Sequence, residues 1–232
     1  ENKKLVDEIL SEMRELKENL ENLEDKNKII PDLENTINDL KQKLKFQEID
    51  KKTLHDEIFE ELRIKNTLYA SDKELIDSWI EPNKKVKLNL LLDSNNDGFK
   101  ASTFHSLCDG KGPTVSLFES TSGHRFGGYT GVSWDKSDKY LVDNNSFIFS
   151  ITNKRKFKVT NSSCSIYCVS SYGPTFGGCD IYIADNSNSN DSCSSNFGHS
   201  YSKEDIEDPP KYLAGSNPFT LKRMEVYQVI IN

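Results

Sequence analysis

The first 66 residues carry hydrophobic side chains at steps of three and four positions, in a segment that is otherwise charged and contains no glycine. Such steps correspond to the a and d positions of the coiled-coil heptad repeat. One a position holds Asn27, and a buried asparagine there tends to fix the register and to favour a dimer. We therefore predict a coiled coil over residues 1–66. Its predicted seam consists of Ile9, Met13, Leu16, Leu20, Leu23, Asn27, Ile37, Leu40 and Leu44.

A break in this helical pattern is expected near Pro31, because proline inside a helix costs about 3 kcal/mol. Proline is tolerated in the first turn, so Pro31 would begin a second helix. One alternative is a helix pair folded onto its own globular domain, and the other is an intermolecular coiled coil. We favour the second, because such narrow apolar stripes bury little against a globular surface but suit another helix.

From residue 67 the hydrophobic pattern changes to a period of two, after one more helical stretch. That helix is "SDKELIDSWI", where Ser71 and Glu74 form a capping box and Pro82 follows the end. A further helix is expected at 100–108. The strand-like runs are VKLNLLL, TVSLFES, FIFSI, KFKVT, SIYCVS, DIYIAD and RMEVYQVII. Short runs of this kind, separated by turn residues, predict an α+β fold with an antiparallel β-sandwich flanked by helices over residues 67–232.

Composition and charge exclude some classes of function. The chain is 35% hydrophobic and 29% charged with a net charge of −7, which is typical of a soluble protein and not of a nucleic-acid binder. Its basic cluster, "NKRKFK" at 153–158, lies between two apolar runs and is interpreted as a solvated hairpin turn. No apolar run approaches the roughly 18 residues of a membrane span, and no signal-peptide core is visible, so we expect a cytoplasmic location.

The stretch "DSNNDG" at 93–98 begins like a calcium-binding loop, with Asp93, Asn95 and Asp97 at alternate positions. The twelfth position of such a loop needs a bidentate carboxylate, but here it is Phe104. We therefore interpret the stretch as a turn between the first strand and the helix that follows it.

Other local chemistry is sparse. The five cysteines are an odd number and are interpreted as reduced thiols. Cys164, Ile166 and Cys168 alternate as on one strand, without the paired CxxC spacing of a zinc site. Neither a GxSxG elbow nor a glycine-rich phosphate loop occurs, so neither nucleophilic catalysis nor nucleotide binding has local support. No cofactor or metal is predicted.

Two glycine pairs with neighbouring aromatics, in "RFGGYTGVSWD" and "YGPTFGGCDIYIAD", indicate places where the backbone passes close to other atoms. In order with "DGFKASTFHSLCDGKGPTVSLFES", "FIFSITNKRKFKV", "SNFGHSY", "YLAGSNPFT" and "MEVYQV", these segments resemble the TLDc domain family over about residues 67–232. The family positions expected to be structural are Gly98, Phe99, Gly127, Gly128, Trp134, Gly177, Gly178 and Glu225.

The resemblance implies a β-sandwich flanked by helices, without established catalytic residues or metal ligands. Proteins of this family are linked to protection against oxidative stress, and several bind the vacuolar proton-pumping ATPase and regulate its assembly. Two departures stand out. The family commonly has a basic residue before "DGF", where this chain has "DSNN", and a histidine at the position of Cys179.

Two hypotheses for the function follow. In the first, the protein is a non-enzymatic interaction module. Its coiled coil forms a homo- or hetero-oligomer and anchors it in a larger assembly, either the vacuolar ATPase or a cytoskeletal scaffold. In the second, it protects against oxidative stress through a thiol such as Cys179 or Cys193, which would need a low pKa set by a nearby cation or helix N-terminus. We favour the first, because no such group is close in sequence.

Overall fold

The computed structural model describes residues 9–11, 13–14, 34–38, 41, 68–82, 84–189 and 191–231. It divides into two compact units, Glu1–Ser71 and Asp72–Asn232. Of the predicted coiled-coil seam, Ile9, Met13 and Ile37 are described. The other predicted seam positions and Pro31 lie outside the described residues.

In the first unit, the described residues at 9–14 and 34–41 are helical and lie around one cleft of about 320 Å³. Ile9 and Met13 are both buried. The cleft is lined by Leu10, Met13 and Arg14 from the first stretch and by Glu34, Ile37, Asn38 and Lys41 from the second. Two predicted seam positions, Met13 and Ile37, thus face one cleft within a single chain. The oligomeric coiled coil stays a prediction.

The second unit contains the β-rich domain. Its helices are α1 (Leu68–Ile80, which begins in the first unit), α2 (Ser94–Asp97), α3 (Ala101–Cys108) and α4 (Pro209–Tyr212), with a 3-10 turn at Ser162–Cys164. Its strands are β1 (Val86–Asp93), β2 (Thr114–Ser120), β3 (Arg125–Thr130), β4 (Lys139–Leu141), β5 (Phe147–Ser150), β6 (Arg155–Lys158), β7 (Ile166–Cys168), β8 (Thr175–Phe176) and β9 (Leu221–Ile231).

Within the described residues these strands form two sheets. The larger has the order β1-β9-β2-β3-β5-β6 and the smaller has the order β4-β7-β8, and all neighbours are antiparallel. Side chains of both sheets meet in one core, where Phe126, Ile148 and Phe157 of the larger sheet join Ile166 and Phe176 of the smaller. The predicted α+β fold with an antiparallel sandwich and flanking helices is confirmed.

Helix α1 packs over the other face of the larger sheet. Ile76 is fully buried, and the Trp79 ring lies 5.3 Å from the Phe149 ring of β5. The helix ends at Ile80, as expected, where Lys156 Nζ of β6 donates to the Trp79 carbonyl at 3.0 Å. The range Leu68–Ile80 is divided by a kink at Asp72, which has non-helical angles of φ −130° and ψ 21°, so the helix predicted from Ser71 corresponds to the part that follows this kink.

The turn and hairpin predictions hold with adjusted boundaries. The "DSNNDG" stretch is the single-turn helix α2, in which the Asp93 carboxylate accepts from the Asn95 amide at 3.1 Å and Gly98 ends the turn at φ 81°. The "NKRKFK" stretch does belong to a hairpin, between β5 and β6. Only its beginning is turn, however, because residues from Arg155 onward form β6.

Two strand predictions were wrong. Cys164 lies in the 3-10 turn and not on the strand that carries Ile166 and Cys168, so the two thiols do not share one strand face. The run "DIYIAD" forms isolated bridges, including Phe176 with Ile181, and not a continuous strand. The Cys164 amide bonds to the Asn161 carbonyl, and Ile181 exchanges backbone bonds with Phe176 while Tyr182 exchanges them with Ser194, so neither stretch keeps a ladder with one neighbouring strand.

Candidate functional site

The first glycine pair lies in the middle of β3, where each residue faces a different layer. A Cβ on Gly127 would overlap the Ser116 carbonyl and the Phe149 ring, and a Cβ on Gly128 would lie 2.6 Å from the Phe176 ring. Contacts that short do not occur between real side chains, so both positions are restricted to glycine by close packing. The predicted close backbone approach is confirmed at this pair.

The second glycine pair opens space around a buried carboxylate. Gly177 has φ 67°, and a Cβ there would overlap the Asp180 carboxylate. A Cβ on Gly178 would overlap the His199 ring. The Gly178 amide donates to Ser200 Oγ at 3.0 Å. This glycine pair therefore allows the loop that follows β8 to pack against residues 198–201.

The Asp180 carboxylate accepts hydrogen bonds from four consecutive backbone amides. The distances to its oxygens are 2.9 Å from Gly198, 2.9 Å from His199, 2.9 Å from Ser200 and 3.3 Å from Tyr201. The side chain is completely buried. Burial raises the pKa of Asp180, and the four amide hydrogen bonds act in the opposite direction. The carboxylate thus holds the 198–201 loop in place, which is a structural role.

Trp134 fills the centre of the core. Its side chain is 1% exposed, and its ring makes edge contacts with Phe104 of α3 and Phe176 of β8, both at 5.4 Å. The indole Nε1 donates to Thr114 Oγ1 at 2.9 Å, so its polar atom is satisfied. Phe99, which follows Gly98, is partly buried against the same core.

Glu225 lies on β9, between β1 and β2 of the larger sheet, and is completely buried. Arg223 Nε is 2.8 Å from Glu225 Oε1, and the Tyr227 hydroxyl donates to Glu225 Oε2 at 2.8 Å. Arg223 Nη2 is also 3.3 Å from Asp93 Oδ2 of β1. A buried carboxylate needs such partners, because removing a charge from water is costly. This network joins β1 to β9.

A buried histidine joins α3 to the segment after β7. The two ring nitrogens of His105 lie 2.8 Å from Asp109 Oδ1 and 2.9 Å from the Val169 carbonyl. Both nitrogens are occupied by these contacts, so the ring has a structural role. Across the described part of the chain, no group of three or more His, Cys, Asp or Glu side chains could hold a metal ion.

The thiols lack the features of a reactive cysteine. All five cysteines are free thiols. Burial raises the pKa of Cys193 to about 11, and burial together with Asp180 raises the pKa of Cys179. A nucleophilic cysteine needs the opposite shift, because the thiolate is the reacting species. The site proposed for thiol chemistry therefore has unfavourable electrostatics.

A row of four tyrosines lies on and beside the smaller sheet, and sequence reasoning missed it. The rings of Tyr140 and Tyr167 stack at 4.4 Å across the β4–β7 pair, Tyr172 follows at 6.2 Å from Tyr167, and Tyr182 meets Tyr172 edge-on at 4.7 Å. Tyr140 is 44% exposed, and Val142 beside it is 60% exposed. We call Tyr140, Tyr167, Tyr172 and Tyr182 the tyrosine row. Its members come from separate segments, so no local motif marks it.

No helix in the described ranges is long and apolar enough to cross a membrane. The chain also matches known proteins. One relative is the MTOR-associated protein MEAK7 of Mus musculus, 29% identical over 76 residues, which are 33% of this chain and 17% of the relative's length. The TLDc domain profile matches residues 63–230. Because this match covers well over half of the sequence, the chain belongs to the TLDc domain family.

Proposed function

We propose that this protein is a non-enzymatic interaction module whose β-sandwich binds a partner protein through the tyrosine row. The observation that carries this proposal is a contiguous line of aromatic rings on and beside the smaller sheet, exposed at Tyr140 and partly buried at the other three tyrosines. Tyrosine is enriched at protein interfaces, where a rigid ring supplies contact area and its hydroxyl supplies a hydrogen bond. Tyr140 and Val142 offer apolar surface that a partner would remove from water.

The polar groups of the motifs favour this proposal over catalysis. Asp180 is bound by backbone amides, Glu225 is bound by Arg223 and Tyr227, and both carboxylates are completely buried. A catalytic group must reach its substrate within hydrogen-bond distance. These two carboxylates instead hold strands and loops together.

The N-terminal segment would then supply an anchor. A coiled coil over residues 1–66 would set the oligomeric state and attach the sandwich to a larger cytoplasmic assembly. The candidates are the vacuolar proton-pumping ATPase and a cytoskeletal scaffold. The family resemblance supports the first, and the name of the relative, an MTOR-associated protein, supports a role in protein association.

Site-specific photo-crosslinking in cells would test the tyrosine row. A photoreactive amino acid at Tyr140 is expected to crosslink a defined partner, while the same group at Ile231, which is 40% exposed on β9, serves as the matched control. The partner is then purified, and its affinity for the Tyr140→Ser, Tyr167→Ser double variant is measured. A loss of tenfold or more, about 1.4 kcal/mol, is expected. An unchanged affinity would refute the assignment of the row.

The identity of the assembly is tested with purified vacuolar ATPase. The full chain is expected to bind it, and the same double variant is expected to bind it more weakly than the Ile231→Ser control. Equal binding by both variants, or none by the unaltered chain, would argue against this assembly and leave the row to be judged by the crosslinking result.

A further inference from the structure

Strand β1 forms one edge of the larger sheet. It pairs with β9 over the register from Val86–Ile231 to Asp93–Glu225, and among the described residues β9 is the strand paired with it. The Asp97 carboxylate accepts from the Asp93 amide at 2.8 Å and closes the end of this edge. Among the described strands, the outer side of β1 before Asp93 has no neighbour, and such an edge is a template for an added strand.

The opposite edge of the same sheet is closed. The Lys158 carbonyl of β6 accepts from the Ser202 amide at 2.9 Å, and Arg155 forms ion pairs with Glu204 at 2.6 Å and Asp205 at 3.0 Å. The segment at 200–205 therefore covers β6. The two edges differ in length as well, since β1 has eight residues and β6 has four.

The side chains of β1 indicate what could bind there. Lys84, Lys85 and Lys87 are exposed at its beginning, and Leu88 and Leu90 are partly exposed along it. Lys84 Nζ lies 4.0 Å from a carboxylate oxygen of Glu81. This edge thus combines partly exposed apolar side chains with positive charge at one end.

We propose that β1 accepts an extended strand of a partner protein, antiparallel to it, with alternating apolar residues and acidic residues at its C-terminal end. Main-chain hydrogen bonds would supply the pairing, and the acidic residues would lie beside Lys85 and Lys87 and set the direction. A second copy of this chain fits less well. The corresponding acid of its own β1, Asp93, is buried and bound to Arg223.

Three synthetic peptides test this surface with the full chain. The first alternates valine and threonine over ten residues and ends in two glutamates. The second ends in two lysines, and the third is the glutamate peptide methylated on alternate backbone nitrogens. Only the first is expected to bind saturably in fluorescence polarisation, with amide shifts in NMR confined to β1 and its neighbours. Equal binding of all three peptides, or shifts on β6 or the tyrosine row, would overturn the proposal, as would a lack of saturable binding or the appearance of dimers of the chain in its place.

Two matched variants test whether lysine on the β1 edge attracts the acidic end of the peptide. Lys87→Glu is expected to weaken binding of the glutamate peptide by about three- to tenfold, and Lys158→Glu on the closed edge is expected to leave it unchanged. Equal effects of both variants would mean that net charge, and not the β1 edge, governs binding. This proposal is independent of the tyrosine row, whose variants should bind the peptide normally.

Discussion

Asp180→Asn is the most informative single change in the sandwich, because it alters one atom group at the centre of a four-amide cluster. Oδ1 of Asp180 accepts from Gly198 and His199 at 2.9 Å each, and Oδ2 accepts from Ser200 at 2.9 Å. Asparagine keeps one acceptor oxygen. Its amide nitrogen would replace the second oxygen. An N–H donor of asparagine would then face a backbone N–H that now donates to the carboxylate.

The size of the effect follows from the hydrogen bonds that are weakened. A bond to a charged acceptor is worth about 1.5–3 kcal/mol and a neutral one about 0.5–1.5 kcal/mol, so several bonds lose part of their strength at once. A gain opposes this loss. Asparagine is neutral, so it avoids the cost of burying a negative charge, the same cost that raises the pKa of Asp180. We expect a net loss of about 2–4 kcal/mol in the free energy of unfolding.

Urea denaturation, followed by the fluorescence of Trp79 and the buried Trp134, would measure this loss. Asp185→Asn is the matched control, since exposed Asp185 accepts a single backbone hydrogen bond, from the Ala101 amide at 2.8 Å at the start of α3. We expect it to lose about 0.5–1 kcal/mol. If Asp180→Asn costs no more than Asp185→Asn, the carboxylate does not hold the 198–201 loop as argued.

Three further predictions follow from the core. Gly128→Ala should lower the free energy of unfolding by about 1–3 kcal/mol. The control Gly131→Ala, whose Cβ would lie 3.6 Å from the nearest atom, should change it by under about 0.5 kcal/mol. Equal values for the two variants in urea melts would contradict the packing argument. Glu225→Ala should lower the free energy of unfolding by about 3–5 kcal/mol. The control Lys222→Ala, which removes an exposed ion pair with Glu119, should lower it by about 1 kcal/mol or less. A smaller loss for Glu225→Ala than for the control would contradict the role of the buried network. Burial raises the pKa of Cys193 to about 11, so in the native protein at pH 8 it should be alkylated at least about 100-fold more slowly than free cysteine. The rate should increase as the pH rises through 11. Alkylation of Cys193 as fast as that of free cysteine would reopen the thiol hypothesis.

The regular elements of the sandwich could be predicted because their patterns are local. The run TVSLFES begins with an alternation of polar and apolar residues and is β2 at Thr114–Ser120, and the helix expected at 100–108 is α3 at Ala101–Cys108. Periods of 2 and 3.6 are visible within one segment, so no knowledge of distant residues is needed.

The irregular region after β8 could not be predicted, because its hydrogen-bond partners are distant in the sequence. "DIYIAD" alternates like a strand, but Asp180 is bound by amides some twenty residues later in the chain, and the segment forms only isolated bridges. Cys164 was misplaced for a different, local reason, because its amide bonds to the Asn161 carbonyl three residues earlier in a 3-10 turn. An alternating pattern of residues records neither kind of hydrogen bond.

The candidate site was predictable only in part. The glycine pairs indicated close approaches, but the reason for each one is a partner atom elsewhere in the chain, such as the Phe176 ring opposite Gly128. The tyrosine row had no signal of its own. Its rings come from four segments that the fold brings together, and tyrosine in an alternating run first suggests an ordinary strand.

The residues that identify the family and the surfaces proposed to act are different parts of the molecule. Gly128, Trp134 and Glu225 are buried, and each is explained by contacts within the sandwich. Tyr140 of the tyrosine row and Lys87 of β1 are exposed, and substitution of an exposed side chain costs the fold little. Two proteins of this family can therefore share every buried motif and still bind different partners, because the motif preserves the sandwich and not the surface it presents. Partner choice should accordingly follow changes at positions such as Tyr140 and Lys87.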